Sequence, residues 1–308
     1  MFIGFDTSNY TTSVAVYENG RIIQRKKLLE VKQGERGLRQ SEAVFQHVVN
    51  LPKLVDSLAE EVEFKENIKA VAVSTRPRNI EGSYMPCFLV GENAAVCSAD
   101  LCGASLYKTS HQVGHILAAL YSVNKLELIE KPFIAFHVSG GTTEALLVTP
   151  DRDEIVKAEL IAESTDLKAG QAVDRAGVLM GLRFPCGAEL DKMACKSERE
   201  FKIKPSMQGL NCSLSGVENK VKKMLESSES HNDIAKFVIS YILATLDEMS
   251  ALLIEKYGEL PLVFAGGVTS NSIINKKLNE KYGAYFASPE FSSDNAAGIA
   301  IYAYLKSL

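Results

Sequence analysis

Two stretches of the chain share one pattern of apolar and polar positions. FIGFDTSNYTTSVAV starts at Phe2, and FIAFHVSGGTTEALL starts at Phe133. Aligned without gaps, Phe-Ile, the next Phe, a Ser and Thr-Thr coincide. Each stretch reads as an apolar strand, a Ser/Gly/Thr turn and a second strand, the pattern of a hairpin. Agreement of this extent at one offset predicts a duplicated lobe. Paired turns of this composition offer backbone N–H groups and hydroxyls to phosphate oxygens. The plainer alternative is that they only close hairpins.

Elsewhere helical and strand periods alternate. Residues 38–60 carry a helical period, with Pro52 expected to break it. IKAVAVST predicts a buried strand. KAGQAVDRAGVLMG predicts a helix with Gly181 at its end, and 232–257 a long helix stopped by Gly258. LPLVFAGGVTSNSIINKKL reads as strand, glycine turn and helix, AYFAS as a strand, and DNAAGIAIYAYLKSL as a closing helix. Segments 33–39 and 226–232 are polar and weakly periodic, so least order is expected there. The sum predicts an α/β protein with a mixed sheet in each lobe. The N-terminal lobe spans 1–130 and is closed by the C-terminal helix 290–308. The C-terminal lobe spans 131–289, and a nucleotide cleft is expected between the two.

Composition narrows the classes. The 308 residues, 46% hydrophobic and 23% charged, fit a globular chain long enough for two lobes. A formal net charge of −4 gives no general attraction to nucleic acid or membrane. Handling RNA would need a local basic patch or a partner. The basic run KKLLEVKQGERGLRQ is one such candidate, though a solvated face is the plainer reading. None of the six cysteines forms a C-x-x-C pair, so reduced thiols and a cytoplasmic location are expected. The start MFIGFDTSNY lacks the basic and apolar regions of a signal peptide, and FVISYILATL is too short to span a bilayer. No membrane association is expected.

Candidate chemistry lies in a few short segments. In SHQVGHILAALYS, His111 and His115 sit four apart, on one face of a helix. That spacing suits a metal, and it also suits a plain amphipathic helix. Gln112 stands where a zinc protease needs its glutamate base. Asp294 in SSDNAAG is either a helix cap or a third ligand, and two His with a carboxylate leave open positions for substrate. FAGGVTSN combines two glycines with a helix cap at Ser270 or Asn271, which reads as a nucleotide contact or as a tight turn without ligand. FPCGAELDK is expected to be a loop between helices, with Gly187 giving backbone access. Asp174 lies in a helix, facing either a ligand hydroxyl or solvent.

These motifs, taken together, resemble the TsaD (YgjD/Gcp) family, the tRNA adenosine threonylcarbamoyltransferases, formerly labelled O-sialoglycoprotein endopeptidases. GFDTSNYTTSVAVY is similar to the family's opening G-[IV]-E-T-S-C-D-[ED]-T-[GS]-[VA]-A. HQVGH resembles H-x-x-G-H, and VSGGTTEAL resembles V-S-G-G-[HN]-T-x-[LI]. AGQAVDRAGVLMGLRFPCGAELDKMA, CSLSGVEN, GGVTSN and SSDNAA each match a family segment in the same order. Seven matches in order, over nearly the whole chain, are specific.

The resemblance implies the two-lobed actin/hexokinase/heat-shock ATPase fold. It implies one divalent metal, iron or zinc, on His111, His115 and Asp294. It implies ATP, ADP or an adenylate as ligand, contacted by Ser139, Gly140, Gly141, Thr142, Asp174, Gly187, Asp191 and Asn271. The opening turn, with Ser8, Asn9, Thr11 and Thr12, becomes a substrate turn. The implied reaction moves a threonylcarbamoyl group from threonylcarbamoyl-adenylate to N6 of the tRNA adenosine next to the anticodon. The implied partners are tRNA and a TsaB-like protein or a second copy of the chain.

Two departures weigh against a simple carry-over. The family's acidic pair in the opening turn is replaced, leaving Asn9, Tyr10 and Thr11 there. In RPRNIEGSYMPCFLVG, Arg76 and Arg78 stand where the family has glycines. The alternative is therefore a non-catalytic metal- and nucleotide-binding paralogue, acting as partner in a tRNA-modifying complex. A small-molecule kinase fits less well, because kinases hold magnesium on oxygen ligands.

Overall fold

The structure is a computed structural model that describes residues 1–8, 10–31, 38–64 and 68–308. The expectation of low order at 33–39 falls mostly outside these. The chain divides into two compact units, the first of 1–129, 150–158 and 290–308, the second of 130–149 and 159–289.

The first unit opens with the hairpin of β1 (Phe2–Ser8) and β2 (Thr11–Glu18), continued antiparallel by β3 (Arg21–Leu28). Helix α1 (Gln40–Ala59) leads to β4 (Ala70–Arg76), and α2 (Phe88–Cys102) leads to β5 (Ser105–Ser110), both strands parallel to β1. Helix α3 (His111–Ser122) follows at once. Pro52 does not break α1, contrary to expectation. Pro52 and Val48 are both exposed, so the carbonyl deprived of its N–H donor faces solvent.

Alternation along β1 sorts its side chains between two layers. Ile3 and Phe5 join Val14, Val16, Leu51, Leu58, Val71 and Val73 in one buried cluster with residues of α1 and α2. Gly4 and Asp6, on the alternate positions, turn the other way. A Cβ on Gly4 would run into backbone of residues 296–300.

The second unit repeats this plan. Strands β6 (Phe133–Val138) and β7 (Thr143–Asp151) form an antiparallel hairpin, with β8 (Ile155–Glu163) beside β7. Helices α4 (Ala169–Leu179) and α5 (Gly187–Ala194) follow, then the short pair β9 (Ser206–Gln208) and β10 (Asn211–Ser213). Next come α6 (Gly216–Glu226), α7 (His231–Tyr257), β11 (Leu262–Ala265), α8 (Ser272–Tyr282) and β12 (Tyr285–Phe286). The sheet order β12-β11-β6-β7-β8 mirrors β5-β4-β1-β2-β3 of the first unit. The strands parallel to the hairpin are likewise added on one side only. The internal echo is thus a duplication of whole sheets.

Residues 226–232 are ordered, against expectation. Ser227, Ser228 and Glu229 donate backbone N–H groups to carbonyls of the preceding helix, and Ser230 caps α7 through Asp233 N. Polar residues there serve as caps, which a hydrophobic period does not register. Helix α7 is the one helix among the described residues long and apolar enough to cross a membrane. Ile234, Phe237, Val238, Tyr241, Ile242 and Leu246 on it are buried in the second unit's core. The chain ends in the first unit with α9 (Pro289–Ser292) and α10 (Ala297–Leu305), which packs on β1 and α3.

Candidate metal centre and nucleotide site

The metal candidates all lie in the first unit. Ser110 caps α3 by accepting from Val113 N, which starts the helix on His111. His111 and His115 then share one face, their rings 4.3 Å apart at an angle of 76°. Helix α10 crosses α3 between them. Gly298 lies so close to the Gly114 carbonyl that any Cβ would collide with it. This contact brings Asp294, just before α10, up to both imidazoles. Asp294 Oδ1 lies 3.6 Å from His111 Nε2 and 3.3 Å from His115 Nε2.

Asp294 does not cap the closing helix: the N-cap is Ala296, and the first helical N–H, of Ala297, donates to Asn295 Oδ1. The Asp294 carboxylate is free to face the histidines instead. Ser8 and Thr11 donate their hydroxyls to its Oδ2, each at 3.4 Å. Thr12 points to the opposite face of the hairpin, where its Oγ1 lies 2.8 Å from His47 Nδ1. Asn9 lies outside the described residues.

Asp6 completes the arrangement and was not singled out from the sequence. Its side chain is 1% exposed, and Oδ2 sits 2.7 Å from His111 Nδ1. The available signal was an acid inside an otherwise apolar strand, on the same alternation as Gly4. Burial disfavours charge on His111, but Asp6 and then Asp294 outweigh it and raise its pKa to about 10. Asp294 is held well below the usual carboxylate range: burial opposes this, and His111 and His115 overcome it.

One donor atom each from His111, His115 and Asp294 lies within 4.8 Å of the others. Ligands about 2.1 Å from a tetrahedral ion stand about 3.4 Å apart, so the two Nε2–Oδ1 separations fit one ion. Asp6 on Nδ1 leaves Nε2 of His111 to face that ion, the usual carboxylate–histidine–metal arrangement. The residues present fit a divalent metal.

The nucleotide candidates all lie in the second unit. Ser139 Oγ accepts from Gly141 N at 3.2 Å and Thr142 N at 3.1 Å, which closes the turn after β6. The Ser139 carbonyl accepts from Gly170 N at 3.0 Å, so the turn rests on the start of α4. Gly140 and Gly141 are exposed, with open space where a Cβ would stand.

Asp174 Oδ1 accepts from Cys186 N at 2.8 Å and ties down the segment before α5. Gly187 and Asp191 are not in a loop, as FPCGAELDK suggested, but within α5. Only 181–186 is irregular there. Pro185 and Gly187 read as loop formers, yet a glycine in a helix's first turn is tolerated when the rest of the segment buries Leu190 and Ala194. Asn271 does two jobs. Its Oδ1 caps α8 by accepting from Ile273 N and Ile274 N, and its Nδ2 donates to Asp191 Oδ1 at 2.8 Å.

A second carboxylate missed in the sequence, Asp166, organises this unit. It accepts from Ser213 Oγ, Leu214 N, Ser215 N and Leu167 N, and so fixes the CSLSG segment to the start of α4. Burial raises its pKa, but the Ser213 and Ser215 bonds and the two N–H donors carry it well below the usual range.

The sequence model for tRNA N6-adenosine threonylcarbamoyltransferase matches residues 22–301. The chain belongs to this family. A curated relative of that name from Thermosipho africanus (strain TCF52B) is 30% identical over 98% of this chain and 93% of its own. Among solved structures, HypF of T. kodakarensis superposes with a TM-score of 0.61 at 14% identity, over 99% of this chain and 47% of that one. The activator of 2-hydroxyisocaproyl-CoA dehydratase from Clostridium difficile, solved with bound ADPNP, gives 0.54 at 15% identity, over 100% and 96%. These likenesses show the actin/hexokinase/heat-shock ATPase fold.

Proposed function

We propose that this chain transfers a threonylcarbamoyl group from threonylcarbamoyl-adenylate to N6 of the tRNA adenosine next to the anticodon. The observation that carries this reading is the His111–His115–Asp294 cluster backed by Asp6, in a member of that family. An iron or zinc ion held there would orient the threonylcarbamoyl group and polarise its carbonyl.

The substrate is a mixed anhydride, already activated, so the protein need not supply a nucleophile. Gln112 in place of a glutamate is then no defect, because no water has to be deprotonated. The exposed Gly140 and Gly141 of the Ser139–Thr142 turn would let the phosphate of ATP, ADP or an adenylate lie close against the backbone. Asp191 and Asn271, locked to one another, suit nucleoside hydroxyls. Holding the acceptor amine against the carbonyl supplies proximity. Ser8 and Thr11 keep Asp294 in place as the acceptor enters.

Tyr10 and Thr11, where the family carries acids, favour a second reading. In it the chain keeps metal and adenine nucleotide but acts as a non-catalytic partner of a tRNA-modifying complex. Incubation with threonylcarbamoyl-adenylate and unmodified tRNA, with and without a TsaB-like partner, separates the two. Mass spectrometry of the nucleosides should find threonylcarbamoyladenosine. None under any condition, with nucleotide still bound, would support the partner role.

A further inference from the structure

A cavity of about 450 Å³ lies at the end of β4, wholly within the first unit. It occupies the segment where Arg76 and Arg78 replace glycines. Its floor is the Arg76–Glu154 ion pair, 3.2 Å long. Arg76 Nε donates to Asn79 Oδ1 at 2.9 Å, and Nη1 donates to Thr75 Oγ1 at 3.1 Å. Glu154 also accepts from Thr109 Oγ1 at 3.2 Å. The guanidinium plane is therefore fixed from three sides. Two of its five N–H donors remain after these bonds.

The rim is different in character. Ile80 is 63% and Tyr84 59% exposed. The Asn79 amide N–H groups and the Tyr84 hydroxyl make no hydrogen bond among the described residues. An exposed ring beside a fixed guanidinium, over a floor with spare N–H donors, suits a flat heteroaromatic with acceptor atoms on its edge. Unpaired bases are recognised in this way, stacked on aromatic and arginine planes and bonded along one edge. Arg76 and Glu154 cancel in charge and Glu81 adds a further carboxylate to the lining, so the cavity offers no strong hold on a free phosphate.

We infer that this cavity receives an unpaired base of the RNA flanking the modified adenosine, stacked on Tyr84 and held at its acceptor edge by Arg76 and Asn79. The inference rests on the RNA-modifying reading above. It assigns the divergent 76–84 segment to substrate selection.

The test is a thermodynamic cycle with a synthetic anticodon stem-loop, measured by fluorescence anisotropy. Tyr84→Ala is set against RNAs in which single loop positions are made abasic. Tyr84 is exposed, so the variant folds, and Tyr84→Phe should bind as wild type does. Loss of one stacked base lowers affinity about tenfold. One abasic position should cause that loss in wild type and no further loss in Tyr84→Ala. The salt dependence should be the same in both proteins, because no phosphate contact is removed. Equal RNA affinity of Tyr84→Ala and wild type, or strictly additive losses at every position, would overturn the pocket alone. Displacement of the stem-loop by adenosine monophosphate in wild type but not in Tyr84→Ala would also overturn it, by marking a free-nucleotide site. A wild-type chain that binds no stem-loop, alone or with a TsaB-like partner, would overturn both the pocket and the transferase reading.

Discussion

Asp6 Oδ2 sits 2.7 Å from His111 Nδ1, joining the first strand of the fold to the first residue of α3. The carboxylate is buried and also accepts from Ser8 N at 2.9 Å, so it cannot swing away. It therefore fixes which imidazole nitrogen is left for the metal. Asp6→Asn keeps the shape and removes the charge. Metal affinity, measured by chelator competition, should fall about 10- to 100-fold, while the circular dichroism spectrum is unchanged.

The crossing of α3 and α10 sets the distance between the histidines and Asp294. Gly298→Ala puts a Cβ against the Gly114 carbonyl, and the helices must separate. A cost of about 1–3 kcal/mol is expected from such overpacking. Chemical denaturation should show it, together with weaker metal binding. Ala300→Gly, on the same helix but only removing a methyl, should leave the metal in place.

His47 gives the first unit an acid-sensitive point. It is fully buried, and burial lowers its pKa from 6.5 to about 4, against the opposing pull of the Ser8 backbone and Asp6. The unfolded chain therefore takes up a proton first. The stability tied to neutral His47 is complete above pH 6.5 and is lost as pH falls toward 4. The full loss is about 3 kcal/mol. Denaturation midpoints across that range should fall in wild type and flatten in His47→Gln.

Asn271 caps α8 and holds Asp191 at once. Asn271→Ala should cost about 1 kcal/mol from the cap alone. Asn271→Asp keeps a capping oxygen but sets two carboxylates against each other. It should retain more of the thermal stability than the alanine variant at low pH, and lose that advantage at neutral pH.

The duplicated sheets were legible because a hairpin writes its alternation into the sequence twice, from Phe2 and from Phe133. His111 and His115 were legible because helical spacing places them together. Asp6 was not, since its role depends on which face of β1 meets α3, and that is set by partners distant in sequence. Asp294 was open for the same reason: capping and ligation both ask for an acid before a helix, and only the approach of α10 to α3, which brings Asp294 to both imidazoles, decides between them. Pro185 and Gly187 are local loop signals and point to a loop around Gly187 and Asp191. The burial of Leu190 and Ala194 overrides them.

The opening hairpin, α3 and the segment before α10 are expected to hold one metal ion together. The direct measurement is metal content of the purified protein by mass spectrometry, in wild type and in His115→Ala and Asp294→Ala. About one iron or zinc per chain is predicted in wild type, and close to none in either variant at unchanged helicity. Equal content in all three proteins, or none in wild type after reconstitution with either metal, would contradict the account.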